Sequence, residues 1–443
     1  MKLKPLKFFL LTMLAASGSA QASDLLEVFH TAQVNDPVFA AARAAQQAGQ
    51  EKLPQGRALL MPSINLSANT TFNDQATNYQ AGSPFSAGNG SKRYNSNGFG
   101  VSLAQPLFRA QNWLAYTEAQ LQVAQTDAQF KIAEQDLALR VAQNYFDVLI
   151  AQDSVQLVEA QKAAITEQLA QAKRNFEVGT ATITDSLEAQ SRFDLILAQE
   201  VAAKNNLDVK RSGLQQLINE VPKELRPLGA GFKLDAPKPA EIEQWIADAQ
   251  NNNPQLTIAQ ASSTLAEKEV SRNQAAHLPT LDLVANYAKN NASGGSFGAN
   301  DSNNKSIGVQ LNVPLFQGGA VSSKSREAEA NQERSKQDLE NARRNVTTQT
   351  RQAYLGVVSG IAQVQALQQA LTSSQSLLDA SKLGQEVGIR TNLDVLNAQQ
   401  QLYSTRRDLY QAEYNYLMSQ LRLKAAVGGL GEQEVSQVNL ALH

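Results

Sequence analysis

Hydrophobic positions change their spacing several times along this chain. Residues 24–34 carry a short helical pattern, and a second helical segment runs from Pro37, a residue suited to a first turn, to Leu60, where Pro62 stops it. From Ile64 the period falls to two. Ile64, Leu66, Ala68, Thr70 and Phe72 share one face against Asn65, Ser67, Asn69 and Thr71, which predicts a strand over about 64–73. Residues 73–98, rich in Asn, Gly and Ser, read as a polar loop, and Phe99, Val101 and Leu103 resume the alternation in a second strand over about 97–106. Between Leu107 and Val221 there is no proline and the only glycines are Gly179 and Gly213. Helices over about 109–177 and 182–219 follow, the first roughly 100 Å long at 1.5 Å per residue.

The plan then repeats. After a Pro- and Gly-rich linker, Asn35-Asp36-Pro37 returns as Asn252-Asn253-Pro254 and Met61-Pro62 as Leu278-Pro279, both shifted by 217. Gln105-Pro106-Leu107-Phe108 returns as Val313-Pro314-Leu315-Phe316, shifted by 208, and Glu177–Gln190 returns as Glu386–Gln399, shifted by 209. The length change falls within the polar loop, shorter in the second half (288–305), as a duplicated supersecondary plan requires. Strands are expected over about 281–288 and 306–314, and helices over about 317–385 and 391–427. In the last helix Val395, Leu402, Leu409, Tyr416 and Leu423 recur every seven residues, and Val357, Val364, Leu371 and Leu378 do so in the helix before it. A seven-residue repeat implies left-handed supercoiled packing.

The two copies of the 177–190 segment are helical hairpin tips. Each ends a helix at a glycine, Gly179 or Gly388, and starts the next at Thr182 or Thr391 with Asp185 or Asp394 three residues on. Spacing alone makes these aspartates capping residues.

Composition narrows the setting. Lys2, Lys4 and Lys7 precede an apolar run from Phe8 to Ala16, with Ala20-Gln21-Ala22 before Ser23, which predicts a signal peptide over 1–22. Its removal takes away three lysines and shifts the formal charge from −2 to −5, so no nucleic-acid surface is indicated. The chain has no cysteine, and His30, His277 and His443 are scattered, with no HExxH, P-loop or GxSxG segment, so neither an enzyme nor a cofactor is expected. Past the leader no stretch approaches the roughly 18 apolar residues of a spanning helix, which leaves a soluble chain or one in the membrane as β-strands. The alternating strands fit a half-buried sheet as well as a membrane barrel. Aromatics near the strand ends (Phe72, Phe99, Tyr287; Phe108, Trp113, Phe316) fit interface girdles. Four strands cannot close a barrel, so a spanning chain must oligomerise.

The duplicated strand and helix hairpins, the paired Pro-Leu-Phe segments and the VGxxTxxD tips, the second being Val387-Gly388-Ile389-Arg390-Thr391-Asn392-Leu393-Asp394, resemble the TolC family of outer-membrane efflux and secretion channels. That resemblance implies a helix-dominated fold with transmembrane β-structure: a homotrimer whose 12-stranded barrel lies in outer-membrane lipid, continued by an α-helical coiled-coil barrel in the periplasm with a mixed equatorial belt. Residues 23–221 and 251–427 would be the repeats, and 222–250 and 428–443 would supply the belt. It implies an exit duct working with a periplasmic adaptor and an inner-membrane pump or ABC exporter. Carried onto this chain, Arg390 is the latch cation with Asp185 and Thr184 as partners, and Asp394 lines the aperture. Val178, Gly179, Thr182, Val387, Gly388 and Thr391 form the adaptor-docking tips. Gln385 stands where the family latch has a tyrosine, and Asn397 where it has a second acidic ring, so a weaker latch and a less cation-attracting ring are expected. The competing reading is a periplasmic or surface coiled-coil structural protein, such as an adhesin stalk, which needs no paired strands.

Overall fold

A computed structural model describes residues 23–442 other than 79, 83, 85–88, 230, 231, 296 and 297; the expected signal peptide and His443 lie outside the described residues. The chain divides into two compact units. One holds the described residues up to Ala40 with Glu134–Trp245 and Thr350 onward; the other holds Ala41–Ala133 and Ile246–Gln349.

The second unit carries one antiparallel sheet in the order β1 (Ser63–Thr77), β2 (Gly90–Phe108), β3 (Thr280–Ala292) and β4 (Asn300–Asn312). All four strands run well past the expected bounds on the loop side, and much of each supposed polar loop is ladder. Backbone pairing is indifferent to side-chain polarity, and polar cross-strand partners hold the extensions: Arg93 Nε and Ser91 Oγ each donate to Asp74 at 2.9 Å, and Tyr94 Oη donates to Gln75 at 3.2 Å. Proline decides the lower ends. β2 passes Pro106 by a register shift against β3, whereas β4 stops at Asn312, before Pro314 and short of the expected 314. No described residue covers the apolar face of the outer strands: Ile64, Leu66, Ile307, Val309 and Leu311 are 66, 73, 77, 61 and 63% exposed. β1 and β4 are also bare edges, which lipid does not tolerate unless further strands close them.

The helical segment expected over 37–60 is two helices, α2 (Pro37–Gln50) and α3 (Lys52–Ala58), after α1 (Leu25–Asn35). Pro54 has no N–H to give the carbonyl of Gln50 and its ring crowds that carbonyl, so the ladder breaks beside it. The Asn-Pro and Asp-Pro repeats are caps: Asp36 accepts from Phe39 N at 3.0 Å, and Asn253 accepts from Gln255 N at 2.8 Å. Asn253 closes α6 (Ile242–Asn252), part of the stretch assigned to the belt, and opens α7 (Pro254–Gln274).

Four long helices follow the expected plan: α4 (Ala110–Glu177), α5 (Ile183–Ile218), α8 (Ala320–Glu386) and α9 (Asn392–Ala426). α8 starts three residues later than expected because Gly318 and Gly319 hold φ of 62° and 80°, outside any right-handed helix. The heptad positions are the packed ones. Val357, Val364, Leu378, Val395, Leu402, Leu409, Tyr416 and Leu423 are all buried, and Leu371 packs against Leu378, Val395, Ala398 and Leu402.

In the first unit the belt segments are tied to this wall by tyrosines. Tyr145, fully buried on α4, donates to the carbonyls of Ser23 and Arg226 at 3.1 and 3.0 Å. Its repeat counterpart 209 residues on, Tyr354, donates to the carbonyl of Ala240. Tyr416 exchanges two 2.9 Å bonds with the backbone of Asp235. Short bridges Ser23 to Leu225 and Leu228 to Leu442, with α10 (Glu432–Asn439) beside α1, tie these segments to one another.

Candidate functional site

Each hairpin tip is built from one backbone motif used twice. After α4, Thr180 N donates to Asn175 O at 2.8 Å and Gly179 N to Phe176 O at 3.0 Å; after α8, Ile389 N donates to Gly384 O at 2.9 Å and Gly388 N to Gln385 O at 3.1 Å. These paired bonds satisfy the last helical carbonyls and need a left-handed residue, supplied by Gly179 (φ 78°) and Gly388 (φ 79°). The next helix starts with a reciprocal capping box. Thr182 N donates to Asp185 Oδ2 at 2.9 Å while Asp185 N donates to Thr182 Oγ1 at 3.3 Å; Thr391 and Asp394 repeat this at 2.9 and 3.2 Å. Hydrogen bonds from the Thr182 hydroxyl and backbone hold the Asp185 carboxyl below its ordinary range. The Thr391 backbone and hydroxyl, with Arg390 nearby, do the same for Asp394.

Small matching cores stand behind the tips. Leu169, Ala172 and Ala189 pack with Phe193 in the first hairpin; Leu378, Val395, Ala398 and Leu402 pack in the second, with Leu169/Leu378, Ala189/Ala398 and Phe193/Leu402 as repeat counterparts. The tips themselves present bare apolar side chains. Val178, Val387 and Ile389 are exposed, as is Thr184 in the first turn of α5.

The expected latch partners are not brought together within one chain. Arg390 Nη1 lies 3.8 Å from Asp394, four residues along the same tip, and not against Asp185 or Thr184; Asp185 accepts from Thr182 instead. Gln385 donates to Asn392 at 3.3 Å within the turn. Sequence reasoning missed Gly384: a Cβ there would lie 2.6 Å from Arg390 Cγ, so the Arg390 stem folds back over a surface only glycine leaves open. Its neighbour Gln385 took the attention; a glycine two residues before the helix end marks the place in sequence but not its partner. Also missed was Arg192 of α5, whose Nη2 donates to Asn397 Oδ1 at 2.8 Å and Nη1 to Gln400 Oε1 at 2.7 Å.

A duplicated sheet that must be closed by other copies, long heptad-packed helices and two hairpin tips made alike define the subunit of an oligomeric membrane exit channel. The chain belongs to the outer membrane efflux protein family, which it matches over residues 28–220 and 245–429. It is similar to the outer membrane protein TolC of Escherichia coli, 33% identical over 98% of this chain and 87% of that one. It also resembles the alkaline protease secretion protein AprF of Pseudomonas aeruginosa, 34% identical over 96% and 89%. Its fold matches a crystal structure of CusC with a TM-score of 0.79 at 18% identity, covering 92% of each chain. The protein is therefore a homotrimeric outer-membrane channel and not an enzyme, with four strands per chain in a 12-stranded barrel and a helical periplasmic tunnel.

Proposed function

We propose that the trimer is the exit duct of efflux pumps or of a type I secretion system, shut at its periplasmic end by the hairpin tips and opened when they spread. The observation that carries this is the duplication of one tip motif to the level of individual hydrogen bonds, at 177–185 and 386–394. Asp394 gives the closed end one carboxylate per chain, and Asn397 adds none, so the aperture prefers cations weakly. Arg390, turned onto Asp394 within its own chain, meets Asp185 and Thr184 of a neighbouring copy in the closed trimer. The exposed apolar tips, Val178-Gly179 with Thr182 and Val387-Gly388 with Thr391, take the periplasmic adaptor. Adaptor binding favours the spread state because it adds contacts only there. Exposed ion pairs hold little each, so such binding suffices to open the end.

Single-channel conductance in planar bilayers tests this reading. Wild type is expected to insert with a small, cation-preferring conductance, and Arg390→Ala to conduct more. Insertion with equal conductance in both removes Arg390 from the gate; no insertion of either returns the coiled-coil structural reading.

A further inference from the structure

We propose that Arg192 is a positioning residue that locks the two hairpins of one chain together behind their tips; this rests on reading the tips as the closing end of the duct. The guanidinium leaves α5 and donates both ends of its fork to carbonyl oxygens on α9, Gln400 Oε1 at 2.7 Å and Asn397 Oδ1 at 2.8 Å. Residues three apart on a helix share a face, so a planar fork reaches both while a single ammonium does not. Glu188, one turn earlier on α5, stands 3.8 Å away and steadies the guanidinium from its own helix. The Arg192 side chain is only 24% exposed, which strengthens its charge-assisted bonds relative to free surface pairs.

Place matters as much as strength. Arg390 stays within the second hairpin, so it cannot tie the hairpins of one chain to each other. Behind the tips the first hairpin reaches the second through Arg192 and through a neutral bond from Gln168 Nε2 to Gln399 Oε1 at 2.8 Å. Just above, α5 and α9 part around a groove of about 420 Å³ lined by Leu157, Ile165, Leu195, Tyr403 and Arg407, with Arg192 in its wall. Little tight packing there resists sliding of one hairpin past the other, and the Arg192 fork spans the gap. The lock is also one-sided: a 209-residue shift places Gln401 opposite Arg192 and Asn397 opposite Glu188, so the second repeat has no equivalent. Glu188 offsets the guanidinium charge beside Asn397, so removing the guanidinium leaves that carboxylate uncompensated and raises the aperture's preference for cations.

The test is conductance and ion selectivity of purified full-length trimers in planar bilayers. Arg192→Gln is expected to raise mean conductance about threefold or more, the scale of a lost charge-assisted contact in each chain, and to increase cation preference. Arg192→Lys restores the closed conductance only in part. Asn397→Asp keeps the conductance at or below wild type when Arg192 is present and fails to do so beside Arg192→Gln. Should Arg192→Gln not assemble, Asn397→Ala with Gln400→Ala removes both acceptors, and the same rise is expected. Wild-type conductance in these variants, while Arg390→Ala opens the channel, overturns the lock and leaves the duct reading standing. Absence of conductance in wild type and every variant overturns both.

Discussion

Glycine and aspartate do the defining work at the tips, for different reasons. Gly388 and Gly179 supply left-handed backbone, and Gly388→Ala is expected to cost the tip about 1 kcal/mol, read as faster amide exchange over the hairpin end. Gly384 supplies space. Gly384→Ala pushes the Arg390 side chain away from its place 3.8 Å from Asp394 and is expected to raise conductance as Arg390→Ala does; closed-state conductance in that variant contradicts the packing argument. Asp185 and Asp394 have depressed folded-state pKa values, so the capping boxes contribute fully above the ordinary carboxylate pKa of about 4 and are lost as pH falls through the lower folded values. Amide protection over 180–186 and 389–395, measured relative to the unstructured exchange rate at each pH, should therefore hold at neutral pH and be lost only below the ordinary carboxylate range. The caps and the left-handed glycines were legible in sequence because each is a local rule. Gly384 and Arg192 were not: the fold of the turn sets the Arg390 side chain over Gly384, and the meeting of two hairpins sets the acceptors of Arg192.

At the scale of elements, the heptads of α8 and α9 were readable because one face of each helix is buried throughout. The strand lengths were not: beyond Phe72 the pairs are Asn73–Tyr94, Asp74–Arg93, Gln75–Lys92 and Ala76–Ser91, a polar composition shared with loops, and only pairing distinguishes the two. The break between α2 and α3 was missed although Pro54 announces it. The tyrosines that anchor the segments assigned to the belt were not anticipated. Tyr145→Phe is expected to destabilise the belt by about 1 kcal/mol, with faster exchange around Arg226. A second element-scale feature is the α4–α9 contact, where Tyr414 donates to Asp153 at 3.0 Å and burial with the nearby Asp153 charge pushes Glu413 up to about 7. Between the unperturbed value and 7 the folded chain binds the extra proton, so Glu413 weakens the fold progressively as pH rises across that window. Glu413→Gln should flatten that dependence and raise the melting temperature at pH 8; an unchanged pH profile contradicts the assignment.

For the whole molecule, one fact organises the rest: a four-stranded sheet with bare edges and a bare apolar face is incomplete alone, and trimerisation in lipid completes it. On the function proposed above, export through the completed duct is controlled at the twin tips. The absence of native cysteine makes this directly testable. Asp394→Cys trimers, oxidised so that neighbouring tips are cross-linked and then reduced, should show a small conductance that adaptor cannot raise while the disulfide is intact, and an adaptor-raised conductance once it is broken. A cross-linked trimer that conducts and responds to adaptor as freely as the reduced one would contradict a gate at the tips.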